Sequence, residues 1–433
     1  MADILPFDAL MYNTQIVKDL KGVITQPYDK INDKLKKIYI ERSEYNAVKL
    51  ILPDPINEAD PDSKYLNAKN ILNDWKTKQI LKKFGEKAFY YLEQEFTSPI
   101  TNETIIRKGF VGLMRFTDFS EKIVFPHEKT LSKPKEDRFK LTLTTNTYFE
   151  QVFLLFEDNN SYVINAFNKS LSGGPNNFSI SVIDDYNVKN NLTPLIDPLV
   201  IENICSAFKD KKLVIADGHH RYETGVNYMK YMRERNTNHK GDESYNFGMM
   251  YFSPSNQKGL IILPTHRLVH GIASFSLSSF LKNISSTFYV KEFNSIDELK
   301  EALTGSKYSF GFYCKENLDR YYLLTLKEDP LNLITDKPLV LRDLDVSILH
   351  YMILFKEFGI DEERLAQQIN VEYVREIDEG LEEVKSGKEQ MMFILNPTPV
   401  EQVMKVAING EVMPQKSTDF YPKLITGLVM YEM

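Results

Sequence analysis

Apolar residues recur at helical spacing in two early stretches, residues 34–50 and 63–83. In the second, Tyr65, Ala68, Leu72, Trp75 and Ile80 fall on or near one face, so both stretches are predicted to be amphipathic helices. The pattern then changes. Ala88 to Leu92 and Gly109 to Phe116 are apolar, aromatic-rich runs separated by polar turn residues, which predicts a long hairpin. A further strand pair is expected at 151–156 and 161–166, and another strand from Phe178 to Ile183 after a turn at 172–177. From 271 the order reads helix, strand, strand, helix, with Asp297 to Leu303 and Leu344 to Phe358 helical and Gln390 to Asn396 extended. A soft boundary near 270 follows, dividing the chain into 1–270 and 271–433.

The sharpest change of period falls at the centre of the chain. Leu213-Val-Ile-Ala216 is a buried-strand run, and Tyr222, Val226, Met229 and Met232 take helical spacing. Asp217-Gly218-His219-His220-Arg221 therefore occupies the turn between strand and helix. A helix N-terminus presents unpaired N–H groups and the positive end of the dipole, so an anion is stabilised there before any side chain acts. Gly218 lets a ligand approach the backbone, Arg221 offers a bidentate fork, and the two histidines offer donors or a proton relay. Phosphate is the expected ligand.

Other polar clusters interrupt apolar segments. Pro126-His127-Glu128-Lys129-Thr130, followed by Asp137-Arg138, brings acid, base and cation into one loop, and Pro264-Thr265-His266-Arg267 ends a strand. Near the C-terminus Lys416-Ser417-Thr418 and Lys423 lie between prolines and aromatics, without the glycines of a P-loop. Asp29, in Thr25-Gln26-Pro27-Tyr28-Asp29, is either a base or the cap of the helix before Lys34. If there is one active site, His127, His219 or His220, and His266 line it.

Composition narrows the class. With 433 residues, 42% hydrophobic and 26% charged, the chain reads as globular and multi-domain. A net charge of -7 argues against a nucleic-acid coat, so nucleic acid is not an expected partner. Two cysteines, Cys205 and Cys314, lack C-x-x-C spacing and indicate neither a disulfide framework nor a thiolate zinc site. No signal peptide or spanning segment is visible, and a cytoplasmic protein with no membrane association is expected. The oligomeric state is open, a homodimer being compatible with the chain.

Taken together, Pro6-Phe7, Ala9-Leu10, Pro27-Tyr28-Asp29, Pro126-His127-Glu128, Asp137-Arg138, Ile215 through Thr224, Pro264-Thr265-His266-Arg267, Met413 through Thr418 and Phe420-Tyr-Pro-Lys423 resemble domain-of-unknown-function family 1015 over the full length. Gln26 departs from the pattern, where a second proline is more usual. The resemblance implies an α+β fold with a ParB/sulfiredoxin-like N-terminal core and a mixed α/β C-terminal region, and more distantly a free-serine-kinase-like phosphate turn. A nucleotide- or phosphate-binding protein follows, in its leading form a small-molecule kinase using magnesium and ATP, ADP or CTP. On that reading Asp217, the backbone from Gly218 to His220, and Arg221 hold phosphates, while His219 or His220 assists and Asp29 or Glu128 takes the hydroxyl proton. His127, Arg138, His266, Arg267, Lys416, Ser417 and Thr418 extend the anion-binding set. Two alternatives stand: a ParB-like nucleotide-responsive regulator without turnover, and a metal-assisted hydrolase with His127, Glu128, Asp217, His219, His220 and His266 as ligands.

Overall fold

The computed structural model describes residues 1–128, 132–172 and 178–433. Lys129 and Thr130 of the expected loop, and most of the turn at 172–177, lie outside them. The chain forms two compact units. The second takes Ile261–Tyr421 together with His127 and Glu128, and the first takes the rest, including Pro422–Met433. The division thus falls after Leu260 and returns the C-terminus to the first unit, whereas the sequence reading draws one line near 270.

The first unit is built on a mixed sheet. Its strands run in the order Val124–Phe125, Leu213–Asp217, Val152–Phe156, Phe247–Pro254, Thr104–Arg115, Phe89–Thr97, Lys189–Leu195, Ile180–Ile183, with Ile4–Leu5 added beside Thr104–Arg115. The Phe247–Pro254 and Val152–Phe156 pair is parallel, as is Leu213–Asp217 with Val124–Phe125; the other pairs are antiparallel. Phe89, Phe110, Leu154, Phe156, Phe208, Ile215, Tyr222 and Phe252 are all buried in one core. The expected hairpin is present as Phe89–Thr97 and Thr104–Arg115, in register from Tyr90 opposite Val111 to Thr97 opposite Thr104.

One expected strand is a helix. Residues 162–166 belong to the helix Tyr162–Ser172, with Ser161 ending the short turn Asn159–Ser161, because Val163, Ile164 and Phe167 are spaced to bury one helical face and Asp158 accepts hydrogen bonds from the Val163 and Ile164 amides. The early helices are shorter than their periodicity suggests. Asp33–Arg42 stops before a turn that leads into Val48–Ile51, and Ser63–Thr77 gives way to the strand Leu81–Lys83, which pairs with Leu10–Tyr12.

The second unit carries an antiparallel sheet in the order Phe288–Phe293, Asn317–Leu326, Ser309–Cys314, Met391–Ile394, His266–Val269, Val371–Val374. Ile296–Leu303 and Ile377–Lys385 pack on it through Leu299, Leu303, Leu381 and Val384. Both units thus combine helices with a sheet, and the chain as a whole is mixed α/β, where the expectation was α+β with a mixed α/β C-terminal region.

Helix packing in the first unit includes a charged node. Asp137, on Ser132–Thr145, accepts from Lys64 Nζ at 2.6 Å and Tyr65 Oη at 2.9 Å on Ser63–Thr77, and from Arg138 Nε at 2.9 Å. Burial works to raise its pKa, but Arg138, Lys64 and Tyr65 together bring it down to about 2. A carboxyl near 3.9 in the unfolded chain thus gives stability that is present above about pH 4 and is lost as pH falls toward 2. Asp137→Asn is expected to lower stability at pH 7 by on the order of 1–3 kcal/mol. In urea unfolding from pH 7 to pH 2, the gap between wild type and variant should stay flat down to about pH 4 and then close.

Candidate functional site

The Leu213–Asp217 strand is buried through Ala216 and flanked on both sides, so its only emergence is at its C-terminal end. There the register against Val152–Phe156 shifts between Ile215 and Asp217. A bulge of this kind re-aims the following side chain, and here that side chain is the Asp217 carboxylate. Gly218 follows in the left-handed region, φ 91°, and caps the helix His219–Arg235. Inside that helix Gly225 lies against the Phe116 ring, where an added Cβ would come within 2.0 Å, and Gly248 meets the same ring from the Phe247–Pro254 strand. Two missing side chains thus seat Phe116 and bring the helix close to the sheet.

Around the turn the first unit gathers charge. Arg221 donates from Nη2 to Asp217 Oδ2 at 2.8 Å and from Nη1 to the Gln151 carbonyl. Lys423 Nζ reaches Asp217 Oδ1 at 3.4 Å. Burial works to raise the Asp217 pKa, yet Lys423 and Arg221, with Lys30 and His219 adding, hold it well below the usual carboxylate range. Lys423 is fixed from behind: its carbonyl accepts from Gln94 Nε2 at 3.2 Å, and Gln94 in turn takes the fully buried Arg107 Nε at 3.1 Å.

Two further carboxylates act on Arg221. Glu150, buried, has the largest stabilising influence on its charge, ahead of Asp217 and Asp29. Glu150 Oε1 accepts from the Tyr28 amide at 2.9 Å and from Thr426 Oγ1 at 3.2 Å, which ties it to the segment bearing Asp29. Glu150, Arg138 and Arg221 line one small cavity of about 40 Å³. Asp29 sits in the short turn Tyr28–Lys30, and the cap of the following helix is Asn32, whose side chain accepts from the Leu35 amide. The capping alternative for Asp29 is therefore excluded. Arg138 donates to Asp137 and to the Ile51 carbonyl and lies over the Tyr28 ring at 4.3 Å. His219 is buried, and His220 is half-buried on the first helical turn.

The second unit holds the other expected residues. His127 Nε2 lies 2.7 Å from Thr418 Oγ1, which donates to Glu128 Oε1 at 3.4 Å, so two motifs separated by 290 residues meet there. Arg267 is buried and bonds the Thr265 and Lys416 carbonyls, while Ser417 Oγ donates to the Pro414 carbonyl. His266 Nδ1 accepts from the Leu395 amide at 3.2 Å, and burial, aided by Arg267 and Lys300, pushes its pKa down to about 3. That ring is neutral and engaged with backbone. Among the described residues, the one set of three His and carboxylate groups with ligand atoms within 4.8 Å of one another is His270, Glu372 and Glu389. None of these belongs to the six expected hydrolase ligands.

Glu150, Lys30, Lys423 and the Gln94–Arg107 pair were not among the site residues expected from the sequence. Lys423 alone left a trace, as a cation of the C-terminal polar cluster and as the end of the Phe420-Tyr-Pro-Lys run.

A mixed α/β chain with a cation-rich glycine turn at a helix N-terminus is the class that fold and site define. The chain belongs to the family described as "Protein of unknown function (DUF1015)", which matches residues 4–347. No curated protein matches the sequence. Among solved structures it is similar to a conserved hypothetical protein from Pyrococcus furiosus, with 12% identity, a TM-score of 0.32, and coverage of 71% of this chain and 92% of that one. A free serine kinase in complex with AMP has 11% identity and a TM-score of 0.33, covering 72% of this chain and 88% of that one. A mutant free serine kinase in complex with ADP has 10% identity, a TM-score of 0.34 and the same coverages, 72% and 88%. No helix among the described residues is long and apolar enough to cross a membrane.

Gly218 gives a direct test of the turn. A Cβ there would lie 3.0 Å from the Arg221 guanidinium, at a backbone angle that disfavours any L side chain. Gly218→Ala should cost about 1–2 kcal/mol of stability, the penalty for a left-handed residue. It should also displace Arg221, read as the loss of the Arg221–Asp217 contact in a crystal structure of the variant.

Proposed function

We propose that the first unit binds the phosphate groups of a nucleotide at the Asp217–Arg221 turn, and that the protein transfers phosphate from the nucleotide to the hydroxyl of a small, serine-like molecule. The observation that carries the reading is the convergence of Arg221 and Lys423 on one carboxylate beside a left-handed glycine at a helix N-terminus. In that arrangement the backbone from Gly218 to His220 and the Arg221 fork receive phosphate oxygens, and Lys423 supplies a point charge. His219 or His220 assists. The same proposal assigns the ParB/sulfiredoxin-like core to the first unit and a supporting anion-binding role there to Arg138; for His127, His266, Arg267, Lys416, Ser417 and Thr418 any anion binding is a separate matter within the second unit.

Phosphoryl transfer needs little beyond positioning, charge compensation and a base for the attacking hydroxyl. Asp29 is favoured as that base because it acts on Arg221 without serving as a helix cap. Glu150 is the second candidate, on its place beside Arg221. Magnesium fits an oxygen donor set of this kind. Asp217 would hold it once its two cations turn to the phosphates, and the ion would compensate phosphate charge.

Arg221→Ala should weaken nucleotide binding by about 10- to 150-fold, the loss of roughly 1.5–3 kcal/mol for hydrogen bonds to a charged group. Calorimetry with ATP, ADP and CTP reads it, and equal affinities would remove phosphate binding from Arg221. Turnover is tested separately, with labelled ATP or ADP, magnesium and free serine or related alcohols. The amide of the true base, Asp29→Asn or Glu150→Gln, should keep nucleotide affinity and lose about 10²–10⁴-fold in rate. Binding with no product from wild type would favour a nucleotide-responsive regulator.

A further inference from the structure

The first unit carries a buried polar row that ends on Lys423. Asn190, Gln94 and Arg107 stand directly opposite one another on the strands Lys189–Leu195, Phe89–Thr97 and Thr104–Arg115. All three are fully buried. They lie on the sheet face opposite the Tyr91 and Phe110 rings of the core, because an odd step along a strand reverses the side chain. Burying polar side chains in a row is costly unless each is hydrogen-bonded, and here each is. Arg107 gives Nε, at 3.1 Å, and Nη2 to Gln94 Oε1, while Gln94 Nε2 donates to Asn190 Oδ1 at 2.8 Å and to the Lys423 carbonyl at 3.2 Å.

The row has one direction. A guanidinium has only donors, so the Gln94 oxygen must face Arg107, and the amide NH2 is left for the Lys423 carbonyl, which only accepts. Asn190 agrees, since its own NH2 is spent on the Val188 carbonyl at 3.0 Å and its oxygen faces Gln94. Without Arg107 the Gln94 amide is free to turn over and set its oxygen against the Lys423 carbonyl. Charge couples the same residues: burial pulls the Arg107 pKa down, and Tyr251 and Asp217 oppose that. The buried cation thus depends on the carboxylate that Lys423 Nζ reaches at 3.4 Å. A lysine side chain has a flexible stem with much rotamer freedom, so fixing its backbone leaves it fewer ways to miss Asp217.

We propose that Arg107 is a positioning residue of the phosphate site: it orients Gln94, Gln94 grips the Lys423 carbonyl, and the Lys423 ammonium is thereby held at Asp217, where an incoming anion meets it. Arg107 touches no ligand in this scheme. The use of the relay rests on the phosphate reading, whereas its hold on Lys423 does not.

Trace acetylation of the full chain without nucleotide, read by peptide mass spectrometry, tests the hold. Gln94→Glu keeps an acceptor for Arg107 and removes the donor to Lys423, and Arg107→Met removes what orients Gln94. Each should raise labelling of Lys423 about 2- to 10-fold, the worth of one hydrogen bond. Lys135, paired with Glu223 at 2.7 Å in the same unit, should keep its wild-type rate. Lys423 unchanged in both variants, or Lys423 and Lys135 rising together as in a loosened fold, would overturn the inference. Should Arg107→Met not fold, Gln94→Glu decides alone, since its carboxylate still satisfies Arg107. Calorimetry with ADP tests the use of the relay. Arg107→Met should weaken ADP about 2- to 10-fold, and by less once Lys423→Met has removed the ammonium; an equal loss in both backgrounds would sink action through Lys423. No ADP binding by wild type, with Lys423 released in both variants, would remove the phosphate reading and leave the relay as the hold on Lys423.

Discussion

The Asp217 carboxylate compensates two cations that the first unit could not otherwise hold beside a helix N-terminus. Arg221 sits 2.8 Å from one of its oxygens and Lys423 3.4 Å from the other, and both are largely withdrawn from solvent. Removing such charges from water is costly unless each finds an opposite partner. A bulge turns the carboxylate outward, and a left-handed glycine leaves space for the Arg221 side chain to fold back over the turn. The local sequence Asp-Gly-His-His-Arg thus specifies the geometry only together with the sheet that delivers it. Lys423 arrives from the far end of the chain, whose segment Pro422–Met433 is held in this unit by pairing with Thr147–Tyr148, Leu10 and Thr25.

That dependence divides what the sequence discloses from what it conceals. The turn at 217–221 is legible because the hydrophobic period changes abruptly there, from a four-residue apolar run to helical spacing, and the long hairpin is legible from its two aromatic runs. The stretch 161–166 is misread because a short apolar segment fits either period, and the Asp158 cap that decides it lies outside the window. Glu150 and the Gln94–Arg107 pair leave no local signal. Each is an ordinary polar residue until the sheet sets Gln94 beside Arg107, at 3.1 Å, and the tertiary fold sets Glu150 beneath the Tyr28 amide. Motifs meeting over long separations are similarly silent, as with His127 and Thr418.

Each unit has its own electrostatic character. The turn in the first unit brings arginines and lysines to a few carboxylates, whereas a cavity of about 790 Å³ in the second places five carboxylates, Asp336, Asp361, Glu362, Glu363 and Glu411, around one lysine, Lys337. A net charge of -7 for the whole chain averages over these and predicts neither. Charge is informative at the scale of a site, where neighbours lie within a Debye length of roughly 8–10 Å, and composition alone cannot resolve that scale.

On the proposed phosphate reading, a carboxylate that already occupies Arg221 and Lys423 looks like an obstacle, but it has a physical use. A long arginine side chain left free loses up to about 2 kcal/mol of rotamer freedom when a ligand orders it. Asp217, the Gln151 carbonyl and the space above Gly218 have ordered Arg221 in advance. In that proposal a phosphate carrying up to two charges, and received also by the helix N-terminus, competes with a single carboxylate for the same fork. Displacing the Asp217 contact would then cost less than assembling the site anew, because Glu150 and Asp29 still balance the charge of Arg221. On the proposed reading the ion pair works as a placeholder: it satisfies the buried charge of Arg221 and holds it in the geometry that an incoming anion needs.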